Sequence, residues 1–367
     1  EHQARMTREL DAAVPDFGQD YGWNAGNDMQ VEDVWTGLGI SEGFRQCMDS
    51  DPNVVTVTQD SFKLIGITEE DREKYRATNQ FFDVGVAEQN MSMVAAGLAK
   101  EGFTPITNGY ATFALGRAYD QIGVSVAHPR LNVKYFPTEG LLGGDGPFHE
   151  CLESAALGYY LPHMQVQWPC DTVEANKATL AAIRDIDGPV ITLQERAPKP
   201  VVTKLDTPYQ YGVANIIRYT GRQPEFVDAF ETSLSTDWSG AGADIAIVAC
   251  GSQVSEAMRA AIILKETKGL ETTVVNLHTL KPLDKTGLLK AVQGCRGIIT
   301  IAQQQKTVLG NIVAGVVLEA GPQDLQKLVM MGVDDGYGAT GAHYELVQDY
   351  GLTAEHIAET AVTLLDV

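Results

Sequence analysis

The sequence predicts an α/β protein of two doubly wound domains, a mostly parallel-sheet domain followed by a smaller one. Short apolar runs that suit strands alternate with helical patterns along most of the chain, which is typical of parallel sheets with helices on both faces. The 367 residues suffice for two domains that each bury a core of their own. A break with two prolines, APKPVV at 197–202, separates the two series of elements.

Composition excludes several classes of function. The chain carries 27 Lys and Arg against 48 Asp and Glu, a formal charge of -21, so most of its surface would repel a nucleic-acid backbone. Five scattered cysteines without a C-x-x-C pair indicate packed thiols rather than disulfides or a zinc site. Because the chain lacks a membrane-length apolar run and a signal-peptide pattern, we expect a cytoplasmic protein.

The first domain is predicted at residues 31–196, after a polar and acidic extension at residues 1–30. A helical face begins at Val31, and a buried strand, VVTV, follows at 54–57. Further strands are predicted at residues 81–84, 104–107, 132–135, 164–167 and 189–193. Further helices are predicted at 114–126, after His149, and from Asp171, where Glu174 completes the pattern of a capping box. Residues 68–76 are predicted as either a solvated connection or a short helix.

The second domain is predicted at residues 244–367, after a linker and insertion at 197–243. Its strands are predicted at residues 245–250, 272–276, 297–301 and 328–331. Its helices are predicted at residues 255–268, 284–292 and 311–320, with a last helix from Thr353. The two halves share a layout of alternating elements but no sequence repeat.

One carboxylate stands where a predicted strand passes into a helix. In FFDVGVAEQNMSMVAAGLAKE, residues 81–101, the strand ends near Asp83, Gly85 makes the turn, and an apolar stripe that begins at Met91 marks the helix. Glu88 lies in the first turn, where the helix dipole stabilises any carboxylate. Its position at the start of a helix is therefore enough to explain Glu88, and a functional role is not required.

Three motifs give the chain a resemblance to a known family. DVGVAEQNM around Glu88, ATFALGRAYDQI at 111–122 and GGDGPFHE at 143–150 closely resemble the pyrimidine-binding domain of transketolases. The resemblance continues more loosely from Val34 to the C-terminus, and it covers only the second half of a full-length transketolase. It implies one subunit of a split enzyme that uses thiamine diphosphate to transfer a two-carbon ketol unit from a ketose to an aldehyde.

The resemblance implies that three residues bind the cofactor. Glu88 would hydrogen-bond a ring nitrogen of the aminopyrimidine and so activate the cofactor for catalysis. Tyr110 and Phe113 would lie against the pyrimidine ring, where aromatic contacts are favourable. Tyr110 replaces the phenylalanine that is usual in the family, and Phe113 also fits plain core packing on one face of a helix.

The resemblance also implies a set of substrate-binding residues. Asp145 and His149 match residues that contact sugar hydroxyls and move protons, so His149 is a second catalytic candidate. Arg196 matches an arginine that binds the phosphate end of the sugar, for which a planar guanidinium is suited. Each residue has a plain alternative: a loop acid, a histidine at a helix start, and for Arg196 a salt bridge with Glu195 or a neighbour.

Two departures from the family pattern concern the substrate. PTEGLL places Glu139 where transketolases usually have a histidine before the glycine-rich loop. An acid beside the donor site would repel a phosphate and favour a hydroxyl or a cation, so Glu139 is a substrate-binding candidate that argues against an ordinary sugar phosphate. In addition, QQQ at 303–305 stands near the family's Glu-Glu-His.

The resemblance further implies a partner. GDG at 144–146 lacks the paired Asn of the motif that binds Mg2+ and the cofactor diphosphate, so no residue is assigned to the metal. A separately encoded N-terminal subunit would supply the diphosphate-binding domain in a heterodimer or an α2β2 heterotetramer. Two alternatives stay open: a decarboxylating relative, resembling deoxyxylulose-phosphate synthase or a pyruvate dehydrogenase beta subunit, and a scaffold subunit without activity.

Overall fold

The computed structural model describes residues 29–141, 145–240, 242–321 and 327–366. The predicted extension at 1–30 lies outside these ranges except for its last two residues, and so do Gly143 and Gly144 of the glycine-rich loop. Two layered α/β units are present, each with a parallel-rich sheet, so the predicted fold class is confirmed. No helix in the described ranges is long and apolar enough to cross a membrane.

The first sheet has eight strands in the described part of the chain, in the order β14-β6-β7-β5-β4-β2-β3 with β8 beside β5. These strands are β2 Val54–Thr58, β3 Phe81–Asp83, β4 Thr104–Tyr110, β5 Lys134–Glu139, β6 Gln165–Gln167, β7 Val190–Thr192, β8 Gln194–Glu195 and β14 Thr279–Lys281. The strands of the first series pair in parallel, whereas β14 is antiparallel to β6. Because β14 comes from the second series, the two units share a sheet edge.

Helices cover both faces of the first sheet. They are α1 Thr36–Ser50, α2 Glu69–Ala77, α3 Glu88–Lys100, α4 Ser154–Tyr160 and α5 Thr172–Arg184. Helix α1 packs closely on α5, and a Cβ at Gly39 would lie 1.9 Å from the carbonyl oxygen of Thr172. Asp171 caps α5 as predicted, but the Glu174 carboxylate accepts a hydrogen bond from the Cys170 amide rather than completing a capping box.

The helix that we predict at 114–126 is present but irregular. Residues 112–127 combine wide π-helical turns at Thr112–Arg117 and Ile122–Ala127 with an α-helical turn at Tyr119–Gln121. Wide turns of this kind occur frequently at functional sites. We call this stretch the 112–127 helix.

Two predictions near the N-terminal and C-terminal edges of the first unit are wrong. The helix begins at Thr36, not at Val31, because β1 (Asp33–Trp35) is an extended strand that pairs antiparallel with β9 (Pro198–Pro200). The APKPVV segment is therefore part of a two-stranded sheet and not only a linker. The partner of each segment is more than 160 residues away in sequence, so local periodicity could not show this pairing.

The second sheet has six strands among the described residues, in the order β11-β10-β13-β12-β15-β16. They are β10 Asn215–Tyr219, β11 Phe230–Leu234, β12 Ile245–Ala249, β13 Thr272–Asn276, β15 Gly297–Gln305 and β16 Lys327–Val333. Helices α6 Gln253–Lys268, α7 Lys285–Val292, α8 Lys306–Glu319, α9 His343–Asp349 and α10 Ala354–Leu365 surround it. Strands β10 and β11 lie inside the predicted linker and insertion, so residues 197–243 contribute to this sheet; α9 was not predicted.

The two units are packed together rather than loosely linked. One apolar core contains residues of both sheets, among them Val57 and Val248, which are both fully buried. At the shared sheet edge the Trp168 amide donates to the carbonyl oxygen of His278 at 2.8 Å, and His278 is buried. His278 therefore lies at the contact between the two units.

Candidate active site

The turn between β3 and α3 places Glu88 at the carboxyl edge of the first sheet. The Asp83 carboxylate accepts hydrogen bonds from the amides of Gly85 at 3.0 Å and of Asp60 at 3.1 Å. Gly85 has a φ of 71°, a left-handed conformation that glycine adopts at little cost. Helix α3 then begins at Glu88, whose side chain is almost completely buried.

The Glu88 carboxylate is paired with an arginine of the 112–127 helix. Nη1 of Arg117 donates to Oε2 of Glu88 at 3.0 Å. The arginine side chain is 48% exposed while that of Glu88 is only 4% exposed, so the pair lies at the protein surface and not in the core. The guanidinium carbon of Arg117 is also 4.7 Å from the ring centroid of Phe113. We assigned no role to Arg117 from sequence, although it lies inside the quoted motif GRAYDQ.

Three rings extend from this ion pair. Tyr110 ends β4, Phe113 lies in the first turn of the 112–127 helix, and His149 follows the glycine-rich loop. The ring of His149 contacts those of Tyr110 and Phe113 edge to face, with centroids 4.7 Å and 5.5 Å away. Such contacts orient flat groups as well as adding buried area, so these rings are held in a defined arrangement.

A second ion pair lies at the far side of the rings. Arg196 donates from Nη1 to the Asp145 carboxylate and to the Tyr110 hydroxyl oxygen, the latter at 2.9 Å. Nδ1 of His149 is 3.0 Å from the backbone oxygen of Asp145. Burial and then the Asp145 charge raise the pKa of Tyr110 to about 12, so its hydroxyl stays protonated and can donate a hydrogen bond at neutral pH.

The structure therefore joins six predicted residues and Arg117 in one continuous group, which we call the open cluster. Its members are Glu88, Tyr110, Phe113, Arg117, Asp145, His149 and Arg196. They come from the carboxyl ends of neighbouring parallel strands and from the loops that follow. In open α/β sheets, ligands bind at this edge.

Comparison with protein-family models matches both units. Residues 33–198 match the transketolase pyrimidine-binding domain, and residues 237–357 match the transketolase C-terminal domain. A protein of Methanocaldococcus jannaschii that is named as a transketolase C-terminal section is 31% identical over 90% of this chain and 97% of its own length. The chain belongs to the transketolase family.

Two other relatives of this transketolase-family chain are a transketolase subunit and a synthase. A 6-deoxy-6-sulfo-D-fructose transketolase subunit of Clostridium is 28% identical over 91% of the chain and 95% of its own length. The 1-deoxy-D-xylulose-5-phosphate synthase of Geobacillus thermodenitrificans is 30% identical over 90% of the chain. The chain spans only 49% of that synthase, which is about half of its length.

A solved structure matches the whole architecture of the transketolase-family chain. It is described as a split-gene transketolase in an inactive beta4 tetramer. Its TM-score is 0.76 at 28% sequence identity, and the match covers 91% of this chain and 99% of that one. Both units are therefore arranged as in a known member of the family.

One predicted site residue, Glu139, lies apart from the open cluster. It ends β5 and is fully buried, with Oε2 accepting a hydrogen bond of 2.7 Å from Nε2 of Gln304 in the second unit. Burial, and then the charge of Glu195, raise its pKa well above the usual value. A substrate in the open cluster would not meet this side chain, so we withdraw Glu139 as a substrate-binding residue, and with it the argument against a phosphate.

Glu139 belongs to a second polar group between the two units, which we call the buried cluster. Its members are Glu139, Glu195, Lys199, Ser252, Gln303, Gln304 and His343. Its centre is an ion pair of 2.7 Å between Lys199 Nζ and Glu195 Oε2, both fully or almost fully buried. Lys199 takes the Glu195 carboxylate, so Arg196 forms no salt bridge with Glu195. It pairs with Asp145 instead, which agrees with the other form of the predicted alternative, a salt bridge with a neighbouring residue.

Apolar side chains are exposed on the elements that carry Glu88 and Arg117. Phe82, before the turn, is 36% exposed, and Val86, within the turn, is 74% exposed. Met93 on α3 is 45% exposed, and Val124 on the 112–127 helix is 66% exposed. Large apolar groups gathered on one region of a surface mark contact sites for other proteins.

Within the described residues, no three His, Cys, Asp or Glu side chains are grouped so as to hold a metal ion.

Proposed function

We propose that this chain is the pyrimidine-binding subunit of a split transketolase that depends on thiamine diphosphate. A separately encoded partner subunit would bind the cofactor diphosphate and Mg2+, and the pair would transfer a two-carbon ketol unit from a ketose to an aldehyde. The proposal is carried by one observation, the buried Glu88 carboxylate at the start of α3 beside a set of aromatic rings. The family match supports it.

The residues of the open cluster fit the pyrimidine half of the cofactor. Thiamine diphosphate, when bound, supplies a carbanion that attacks a carbonyl carbon. Glu88 would accept a hydrogen bond from a protonated nitrogen of the pyrimidine ring and hold that proton in place. Tyr110 and Phe113, whose ring centroids are 6.4 Å apart, would contact the flat faces or edges of the ring.

The other side of the open cluster fits a polyhydroxylated substrate. Asp145 would accept hydrogen bonds from sugar hydroxyls, and His149 would donate or accept a proton at the reacting oxygen. The half-exposed guanidinium of Arg196 would bind an anionic end of the sugar by exchanging Asp145 for it. Since Glu139 is sequestered, it places no negative charge against such an end.

The need for a partner is supported by the apolar surface beside Glu88, which suits a protein contact. The related Clostridium protein is named as a subunit, and the related split-gene structure is described as inactive in its beta4 form. We propose a heterotetramer with two copies of each chain, because most oligomers of this size are closed and symmetric.

The experiment that tests this function compares Glu88→Gln with a matched control, Glu101→Gln, at the exposed other end of α3. Each variant is combined with the partner subunit, and ketol transfer is measured during titration with thiamine diphosphate and Mg2+. Glu88→Gln should lower kcat by about 100-fold or more, since a neutral amide cannot serve as the base partner. Glu101→Gln should behave as wild type.

Two results would contradict the proposal. Full turnover by the isolated chain would show that no partner is needed, and unchanged activity of the assembled Glu88→Gln enzyme would favour the scaffold alternative. Thermal unfolding of each variant, followed by circular dichroism, separates loss of activity from loss of fold.

A decarboxylating reaction is the second candidate, favoured by the 30% identity with 1-deoxy-D-xylulose-5-phosphate synthase. Both reactions use the same cofactor-activating carboxylate, so Glu88 does not distinguish them. The assembled enzyme should be supplied with pyruvate and an aldehyde, and release of carbon dioxide measured beside ketol transfer from a ketose. Carbon dioxide release without ketol transfer would replace the first proposal by the second.

A further inference from the structure

We infer that Arg117 is a positioning residue for Glu88. It would hold one oxygen of the carboxylate and supply its counter-charge, so that the other oxygen is presented to the cofactor ring. This inference rests on the proposed function and adds to it a residue to which we assigned no role from sequence.

Burial of the Glu88 carboxylate is the first observation that supports this role for Arg117. The Glu88 side chain is 4% exposed, and a carboxylate removed from water needs a compensating charge or several hydrogen bonds. The guanidinium of Arg117 supplies the charge and one hydrogen bond of 3.0 Å. Because the arginine itself is 48% exposed, its own desolvation cost is small.

The hydrogen bond from Arg117 engages only one oxygen of the Glu88 carboxylate. The bond from Nη1 of Arg117 reaches Oε2 of Glu88, and the structure gives Arg117 no bond to Oε1 within the described residues. A bidentate pair would occupy both oxygens, whereas this arrangement engages one. Glu88 can therefore keep Arg117 on Oε2 and accept a hydrogen bond from the pyrimidine ring on Oε1.

A contact with the Phe113 ring holds Arg117 in place. The π-helical turn Thr112–Arg117 places the guanidinium over Phe113, with 4.7 Å between the guanidinium carbon and the ring centroid. A planar guanidinium can stack on a ring and donate a hydrogen bond in its own plane at the same time, which an ammonium cannot. Phe113 would thus contact the cofactor directly and also fix the arginine that positions Glu88.

The test compares Arg117→Met and Arg117→Lys with Arg222→Met, a control that removes a similarly exposed arginine from an ion pair with Glu266. Each variant is assembled with the partner subunit, and thiamine diphosphate affinity is measured by titration. The circular dichroism signal of the imino form of the aminopyrimidine is recorded in the same samples. Arg117→Met should weaken binding about 10-fold and lose the imino signal, as loss of a supporting partner typically does.

Arg117→Lys should lie between Arg117→Met and wild type, and Arg222→Met should match wild type. Wild-type affinity together with a wild-type imino signal in Arg117→Met would overturn the inference. If Arg117→Met fails to assemble, Arg117→Ala is assayed with added guanidinium, and failure of guanidinium to restore the imino signal overturns it as well. Absence of thiamine diphosphate binding by the wild-type assembly would instead refute the proposed function itself.

Discussion

The open cluster and the buried cluster each contain an ion pair and a histidine, but they differ in their access to water. Glu195 and Arg196 are neighbours in the chain, yet the Glu195 side chain enters the buried cluster and that of Arg196 enters the open one. In the buried pair Lys199 is 0% exposed and Glu195 5%; in the open pair Arg196 is 42% exposed and Asp145 20%. The separation occurs where β8 ends at Glu195 and the chain bends at Arg196.

Comparison of the two clusters indicates which charged residues stabilise the fold and which can bind a ligand. A charge that is closed off from water must keep its partner, because the cost of leaving it alone is several kcal/mol. A charge that keeps contact with water can exchange one partner for another at little cost. Buried-cluster residues should therefore affect unfolding, and open-cluster residues should affect binding and turnover.

The largest expected effect comes from breaking the buried ion pair. Burial lowers the pKa of Lys199, which the charge of Glu195 opposes, and Lys199→Met would leave Glu195 buried without its counter-charge. We expect the free energy of unfolding to fall by about 3–5 kcal/mol, measured by urea denaturation of the isolated chain. The exposed pair of Lys74 and Asp49 is the control, and Lys74→Met should change this energy by less than about 1 kcal/mol. Similar values for the two variants would remove the distinction between the clusters.

A second effect concerns the pH dependence of stability. His343 contacts Lys199, and burial together with the Lys199 charge lowers the pKa of His343 from 6.5 to about 3. Between these values the unfolded chain takes up a proton that folded His343 refuses, so stability falls as the pH falls through this window. His343→Gln should reduce that slope by about 1.4 kcal/mol per pH unit.

Urea denaturation between pH 4 and pH 6 measures the slope. The raised pKa of Glu139 acts in the opposite direction above its usual value of 4.5, but this contribution is common to the wild type and the variant. His128→Gln, at an exposed histidine, should leave the slope unchanged. An equal slope in His343→Gln and wild type would mean that His343 is not held neutral by the buried cluster.

The smallest effect is expected within the open cluster. Tyr110→Phe keeps the ring but removes the hydroxyl that accepts a hydrogen bond from Arg196 at 2.9 Å. We expect KM for the substrate to rise about 2- to 10-fold, since one hydrogen bond is worth about 0.5–1.5 kcal/mol, with no change in thiamine diphosphate affinity. Steady-state kinetics and cofactor titration of the assembled enzyme check this. Weaker cofactor binding with an unchanged KM would place the hydroxyl at the cofactor instead.

Much of the fold could be predicted from local patterns. The strand at 272–276 has the predicted bounds, and the buried strand at 54–57 extends by one residue to Thr58. The failures include segments whose partners are distant in sequence: β1 with β9, and β10 with β13. No local period records such pairing. Strand β11 pairs with the nearby β10, and both lie in the presumed insertion.

The candidate site shows the same division. Motif resemblance selected six residues that the structure joins in the open cluster, but it also selected Glu139, which lies in the buried cluster. It assigned no role to Arg117, because an arginine inside a helical motif has no sequence feature that identifies its ion-pair partner. Lys199 was equally inconspicuous within a proline-rich segment.

The order of residues was enough to establish two α/β units, a carboxylate at the start of a helix, and membership of a family. Periodicity and motifs are properties of short segments, so they can be recognised in the sequence without the folded structure. Only the folded chain decided that Glu195 faces inward while Arg196 faces outward, and that Glu139 is shut between the two units. The physical reason is that exposure to water and the choice of ion-pair partner depend on segments that meet only after folding.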